Sequence, residues 1–186
     1  MRLIISCNTR KCRYHTRYTG DRSAFDVFLE CRTPSGGPGF IGVEVKYHED
    51  LRGGAGEHHA RYDEIAARMG CFASEASASL RAAPLQQIWR DHLLAGITRD
   101  VDGYADALFV LLYPHDNGRV RDAVRAYEAC LSDATSFAAW TLEDFVRCLR
   151  TSSGADWISR FQDRYLAFDK IDRYMGATGQ AAKPAS

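Results

Sequence analysis

Between Ala24 and Cys31 the chain alternates with a period of two, setting Phe25, Val27 and Leu29 on one side and Asp26, Phe28 and Glu30 on the other. This predicts a strand. The turn-rich stretch TPSGGPG follows, and the run from Phe40 to Tyr47 predicts a second strand that closes an antiparallel hairpin. Beyond LRGGAGEHH, apolar Tyr62, Ile65, Ala66 and Met69 recur at helical spacing, predicting a helix from His59 to about Met69. An irregular stretch of small residues runs on to Ala83. Pro84 then opens a stronger helix, PLQQIWRDHLLAGI, with Leu85, Ile88, Trp89, His92 and Leu93 along one face.

The continuous apolar run Ala107 to Tyr113, bounded by Asp106 and Pro114, predicts a central strand covered on both faces. Val120, Val124, Tyr127 and Leu131 then form a helical stripe, with Arg119, Arg121 and Arg125 off it on a solvated face. Phe137 to Trp140 reads as a short strand, and Thr141 with Glu143 and Asp144 starts a helix to about Leu149. The last helix is expected from Asp156 to Tyr174, burying Trp157, Phe161, Tyr165 and Phe168. The order is β-hairpin, helices, β, α, β, α, α: a mixed α/β domain over residues 1–174, with a central sheet flanked by helices and a disordered tail at 175–186.

Composition narrows the class. The 186 residues are 46% hydrophobic, in keeping with one ordinary domain. No apolar run approaches the roughly 20 residues of a membrane span, and charge interrupts the N-terminus, so a cytoplasmic protein is expected. The six cysteines show no CxxC spacing and are expected to be reduced thiols. Cys7, Cys12 and His15 have no recognisable zinc spacing. Neighbouring His58 and His59 would point about 100° apart on a helix, which suits a solvated segment better than a metal site. His92 falls on a core-facing stripe. Neither a P-loop nor a GxGxxG turn follows any strand, which argues against nucleotide binding.

Acidic and basic residues balance at 24 each, yet only Lys11, Lys46, Lys170 and Lys183 of the basic set are lysine. A lysine inside a strand of an arginine-preferring chain therefore needs a reason. Residues two apart on a strand share a face, so Glu44 and Lys46 project together from the second strand. Pairing within the hairpin would bring Asp26 to the same side. Two carboxylates without imidazole or thiolate neighbours suit Mg²⁺ or Mn²⁺. Such an ion grips a phosphoryl oxygen and acidifies bound water, while a lysine orients that water or offsets developing charge.

Asp26 followed by Glu44-Val45-Lys46 resembles the D-Xn-(D/E)-X-K signature of the PD-(D/E)XK nuclease superfamily. The wider phrases FIGVEVKYHE, LQQIWRDHLLA and ALFVLLYP resemble a bacterial branch of restriction endonuclease-like proteins, over roughly Ala24 to Leu166. The resemblance implies a restriction endonuclease-like core and Mg²⁺-dependent hydrolysis of DNA phosphodiesters. It implies Mg²⁺ (or Mn²⁺) held by Asp26, Glu44 and the Val45 carbonyl, with Lys46 as catalytic lysine, and it allows a homodimer. Some members add a glutamine on the helix after the lysine strand. Gln86 or Gln87, each paired with Arg90 on one helix face, would fill that place or meet the DNA backbone. Members also carry a helix before the first strand, for which residues 1–25 show no amphipathic pattern. The alternative function is a catalytically silent DNA-binding or protein-interaction module that keeps the fold.

Overall fold

The computed structural model describes residues 17–49, 51, 53, 56–168 and 170. The expectations for Cys7, Cys12, His15, the tail 175–186 and the end of the last helix lie outside these residues. The chain divides after Trp140 into two compact units.

The first unit is built on a mixed sheet of order β1-β2-β3-β4: β1 (Val27–Arg32), β2 (Pro38–Val45), β3 (Asp106–Tyr113) and β4 (Phe137–Thr141). β1 and β2 form the expected antiparallel hairpin, in register from Val27 opposite Val43 to Arg32 opposite Pro38. Its turn is closed by Thr33 and Gly36, whose amide donates to the Thr33 carbonyl, and Gly36 takes a φ of 88° that a side chain would resist. β3 runs parallel to β2, from Asp106 beside Gly39 to Leu112 beside Val45. A parallel neighbour requires a long crossover, and here helices fill it.

The crossover contains α1 (Ala60–Met69), a 3₁₀ turn (Ser74–Ala76), α2 (Ser77–Leu80) and α3 (Leu85–Asp102). The short α2 falls in the stretch expected to be irregular; four residues carry no periodic signal. α3 begins after Pro84 as expected, but runs five residues past Ile97 until Gly103 adopts the left-handed conformation and caps it. It is the central element. From Ile88 to Thr98 every residue except Arg90 is buried, because α1, α2, α4 (Gly118–Glu128) and the sheet all pack on it. α4 is capped by Asn117, whose side chain accepts from the Val120 amide.

The core corrects one face assignment. Phe28, grouped by alternation with Asp26, stacks on Phe40 at 4.6 Å between ring centroids and packs on the core, while Val27 and Leu29 are half-buried. An edge strand covered partly on both faces gives alternation little to report. Phe25 is buried too, but just before β1, with its ring over Gly42; a Cβ there would lie 2.6 Å from the ring. That close approach anchors the segment leading into Asp26.

The second unit contains α5 (Leu142–Ser152), capped by Thr141, and α6 (Trp157–Tyr165). The expected buried aromatic face of the last helix is overturned: Trp157 is 49% and Tyr165 40% exposed, and Ile158 is the buried residue. Trp157, Phe161 and Tyr165 contact one another along the helix, at 6.4 and 4.9 Å between successive rings.

Candidate active site at the end of the second strand

Glu44 lies two residues from Gly42 and four from Phe40, so strand geometry turns it to the face that Phe40 buries in the core. Both Glu44 and Lys46 are only 7% exposed. Lys46 follows the last residue of β2, and its amide still donates to the Leu112 carbonyl of β3 at 2.8 Å, so the strand path continues under it. Its Nζ donates to Glu44 Oε1 at 2.6 Å. A buried ion pair is a poor stabiliser, since desolvation consumes most of the attraction, and its position here calls for a chemical reason.

Asp26 stands one residue before the Val27–Val43 pair and is exposed, yet its Oδ2 accepts the Val45 amide at 2.8 Å. The hairpin register thus brings Asp26 to the Glu44-Val45-Lys46 segment. From α3, Gln87 Nε2 donates to Glu44 Oε1 at 3.4 Å, whereas Gln86 is buried and donates to the Gly56 carbonyl at 2.8 Å. Gln87 therefore meets the carboxylate and Gln86 holds the loop. Arg90 hydrogen-bonds to neither. Its Nε donates to Asp21 Oδ2 at 3.0 Å, while Nη2 lies 2.9 Å from the same oxygen as an ion pair and donates to Ser23 Oγ at 2.9 Å. A cleft of about 310 Å³ has Ser23, Glu44, Gln86, Gln87, Arg90 and Asp91 in its lining.

Two further carboxylates were not singled out from the sequence: Asp91 in the cleft lining, and Asp21 bonded to Arg90. Asp91 is 6% exposed, and its Oδ2 has no hydrogen-bond partner among the described residues. Burial and the nearby Glu44 charge push its carboxyl well above the usual range, with Lys46 and Arg90 pulling the other way. Asp21 is the opposite case. Burial alone would raise it, but bonds from Thr19 Oγ1 (2.6 Å), Tyr62 Oη (2.5 Å) and the amide and hydroxyl of Ser23 hold it well below the carboxylate range. Only Asp21 had a local signal: in TGDRS it is flanked by hydroxyl residues two positions either side.

For Lys46, burial disfavours the ammonium, yet the Glu44 bond and the Glu44, Asp91 and Glu49 charges together raise its pKa. Burial raises Glu44, against the pull of Lys46. At 2.6 Å the pair holds its proton on lysine. Among the described residues no three His, Cys, Asp or Glu side chains form a ready metal cluster. The donors present are nevertheless carboxylate oxygens, of Glu44 in the cleft lining and of the exposed Asp26, the sparse hard set that Mg²⁺ accepts while keeping several waters.

His92, read as core-facing, is buried between Tyr127 Oη and Ser136 Oγ, each 2.9 Å away. His58 is exposed beside Asp63. The described cysteines, Cys31, Cys71, Cys130 and Cys148, are free thiols. Among the described residues no helix is long and apolar enough to cross a membrane.

Comparison with protein families finds a match to the PD-(D/E)XK nuclease superfamily over residues 4–167. No curated protein and no solved structure matches the chain.

Proposed function

The chain belongs to the PD-(D/E)XK nuclease superfamily and has its α/β restriction endonuclease-like fold, and from that premise we propose that it is a cytoplasmic, Mg²⁺- or Mn²⁺-dependent nuclease acting on DNA phosphodiesters. The observation that carries this reading is the buried Glu44–Lys46 pair with Asp26 bonded across the Val45 amide. Asp26, Glu44 and the Val45 carbonyl would hold the cation, whose contribution is to polarise a phosphoryl oxygen and lower the pKa of water.

The chain's own residues have separable tasks. Lys46, protonated and buried, presents positive charge in a low-dielectric setting, where it orients the attacking water and offsets charge developing on phosphorus. Gln87 steadies Glu44 from the helix side. Arg90 faces the same cleft as a group for a backbone phosphate. The match from 4 to 167 supports treating both compact units as parts of one family domain within 1–174.

The test is cleavage of plasmid and linear DNA with Mg²⁺, Mn²⁺ or EDTA. Asp26→Asn, Glu44→Gln and Lys46→Met are each expected to lower the rate by about 10²-fold or more at unchanged far-UV circular dichroism. Equal cleavage by all variants would remove the site assignment. Salt-dependent DNA binding without cleavage in any metal would instead select the silent module.

A further inference from the structure

We propose that Asp21 is a positioning residue that fixes the Arg90 guanidinium so that its remaining nitrogen, Nη1, meets a phosphate of the nucleic-acid backbone in the cleft. This rests on the DNA-cleaving reading above and names the group that makes Arg90 competent in it.

The geometry is specific. Arg90 is the one residue between Ile88 and Thr98 that is not buried, so it emerges from the packed helix at the cleft. Two of its three nitrogens are committed: Nε bonds Asp21 Oδ2, and Nη2 bonds Ser23 Oγ while standing in ion-pair contact with the same carboxylate oxygen. Among the described residues Nη1 has no hydrogen-bond partner. It lies against Gly56, where a Cβ would come within 3.2 Å, so a side chain at that position would crowd the nitrogen. A guanidinium gripped along one edge cannot swing, and its remaining N–H keeps one direction. The carboxylate is itself immobilised by Thr19, Ser23 and Tyr62, which tie residues 19–23 to α1. Lysine has no second edge to be gripped and cannot take this place.

The clamp also separates charge. Asp21 neutralises the arginine on the side away from the cleft, while Glu44 and Asp91 line the same cleft as Arg90. An arginine free to move would fold onto those carboxylates; a clamped one stays available to an incoming anion.

The experiment measures binding of a short labelled DNA duplex in EDTA across a salt series, beside KM and kcat with Mg²⁺. Arg90→Ala is expected to weaken binding about tenfold and to make the salt slope shallower by about 1, with KM rising more than kcat falls. Arg90→Lys should behave like Arg90→Ala. Asp21→Asn should reproduce both changes although arginine is retained, and the double variant should be no worse than either single one. Where Asp21→Asn loses its fold by circular dichroism, Ser23→Ala takes its place, with a loss of a few fold. Wild-type slope and affinity in the folded Asp21 or Ser23 variant, or losses that multiply in the double variant, overturn the positioning role while leaving the nuclease reading intact. A wild-type chain that neither binds nor cleaves DNA overturns both.

Discussion

Asp21, in the chain before β1 and bonded to Arg90, and Asp91, the next residue of α3 after that arginine, solve the problem of a carboxylate removed from water in opposite ways. Asp21 takes donors from Thr19, Ser23, Tyr62 and Arg90. Asp91 leaves Oδ2 without a partner among the described residues, within the field of Glu44 and Lys46. A satisfied carboxylate holds structure in place. An unsatisfied one stores free energy where chemistry can use it. The difference suggests that the Asp21 side of the cleft is the fixed side and the Asp91 side, next to Glu44, is the one a cation or substrate would relieve.

The largest effect should come from breaking the satisfied side. Asp21→Ala leaves the Arg90 guanidinium, the Tyr62 hydroxyl and the Ser23 amide without their acceptor, and is expected to cost about 3–5 kcal/mol in urea unfolding. Its pH dependence has a defined sign. Because the folded carboxyl is held below its ordinary value of 3.8, its contribution is present above that value and is lost as pH falls below it. The gap between wild type and variant should therefore be widest near neutral pH and close in acid. A gap of under 1 kcal/mol at pH 7 would show that Asp21 is not the fixed side.

Asp91→Asn should move stability the other way. A folded carboxyl raised above 3.8 adds no penalty below that value and a growing one as pH rises through the window between unfolded and folded values. The variant is thus expected to be more stable than wild type by about 1–3 kcal/mol at pH 8, a rise of about 2–4 °C in Tm per kcal/mol for a chain of this size, with the difference vanishing toward pH 4. Differential scanning calorimetry of the metal-free chain at several pH values reads it. A variant less stable than wild type at every pH would mean that Lys46 depends on Asp91 more than Asp91 suffers from burial.

The sequence made Glu44, Lys46 and Asp26 legible and hid both Asp21 and Asp91. Glu44 and Lys46 stood out because a strand's period of two places them together among apolar residues, and Asp26 followed from the hairpin. Asp91 did not, because an amphipathic reading of PLQQIWRDHLLAGI puts it off the Leu85, Ile88 and Leu93 stripe, hence toward solvent. α3 is instead wrapped by helices and sheet, so a residue off the stripe is buried as well. Gln86 and Gln87 show the same limit. Spacing to Arg90 treats them alike, but 100° of helix rotation gives one to the Gly56 loop and the other to Glu44. The Asp21–Arg90 bond joins residues 69 apart, beyond any local pattern. In α6 the aromatic spacing was real, but spacing alone does not say whether a stripe faces a core or only its own rings.

The smallest perturbation sharpens the comparison most. Tyr62→Phe removes one donor from Asp21 and leaves its ring among His58 and Trp89, so packing is retained. Thr19, Ser23 and Arg90 still hold the carboxylate. If Asp21 is satisfied in excess, losing the 2.5 Å bond costs about 1 kcal/mol in urea unfolding and leaves the DNA-binding salt slope unchanged, since the Arg90 bonds are untouched. A loss of about 3 kcal/mol or more, or a shallower slope, would mean that the donors act as one unit and that the clamp on Arg90 is only as firm as the tyrosine behind it. Asp21 would then be a carboxylate balanced as narrowly as Asp91, and the division of the cleft into a fixed and a yielding side would fail.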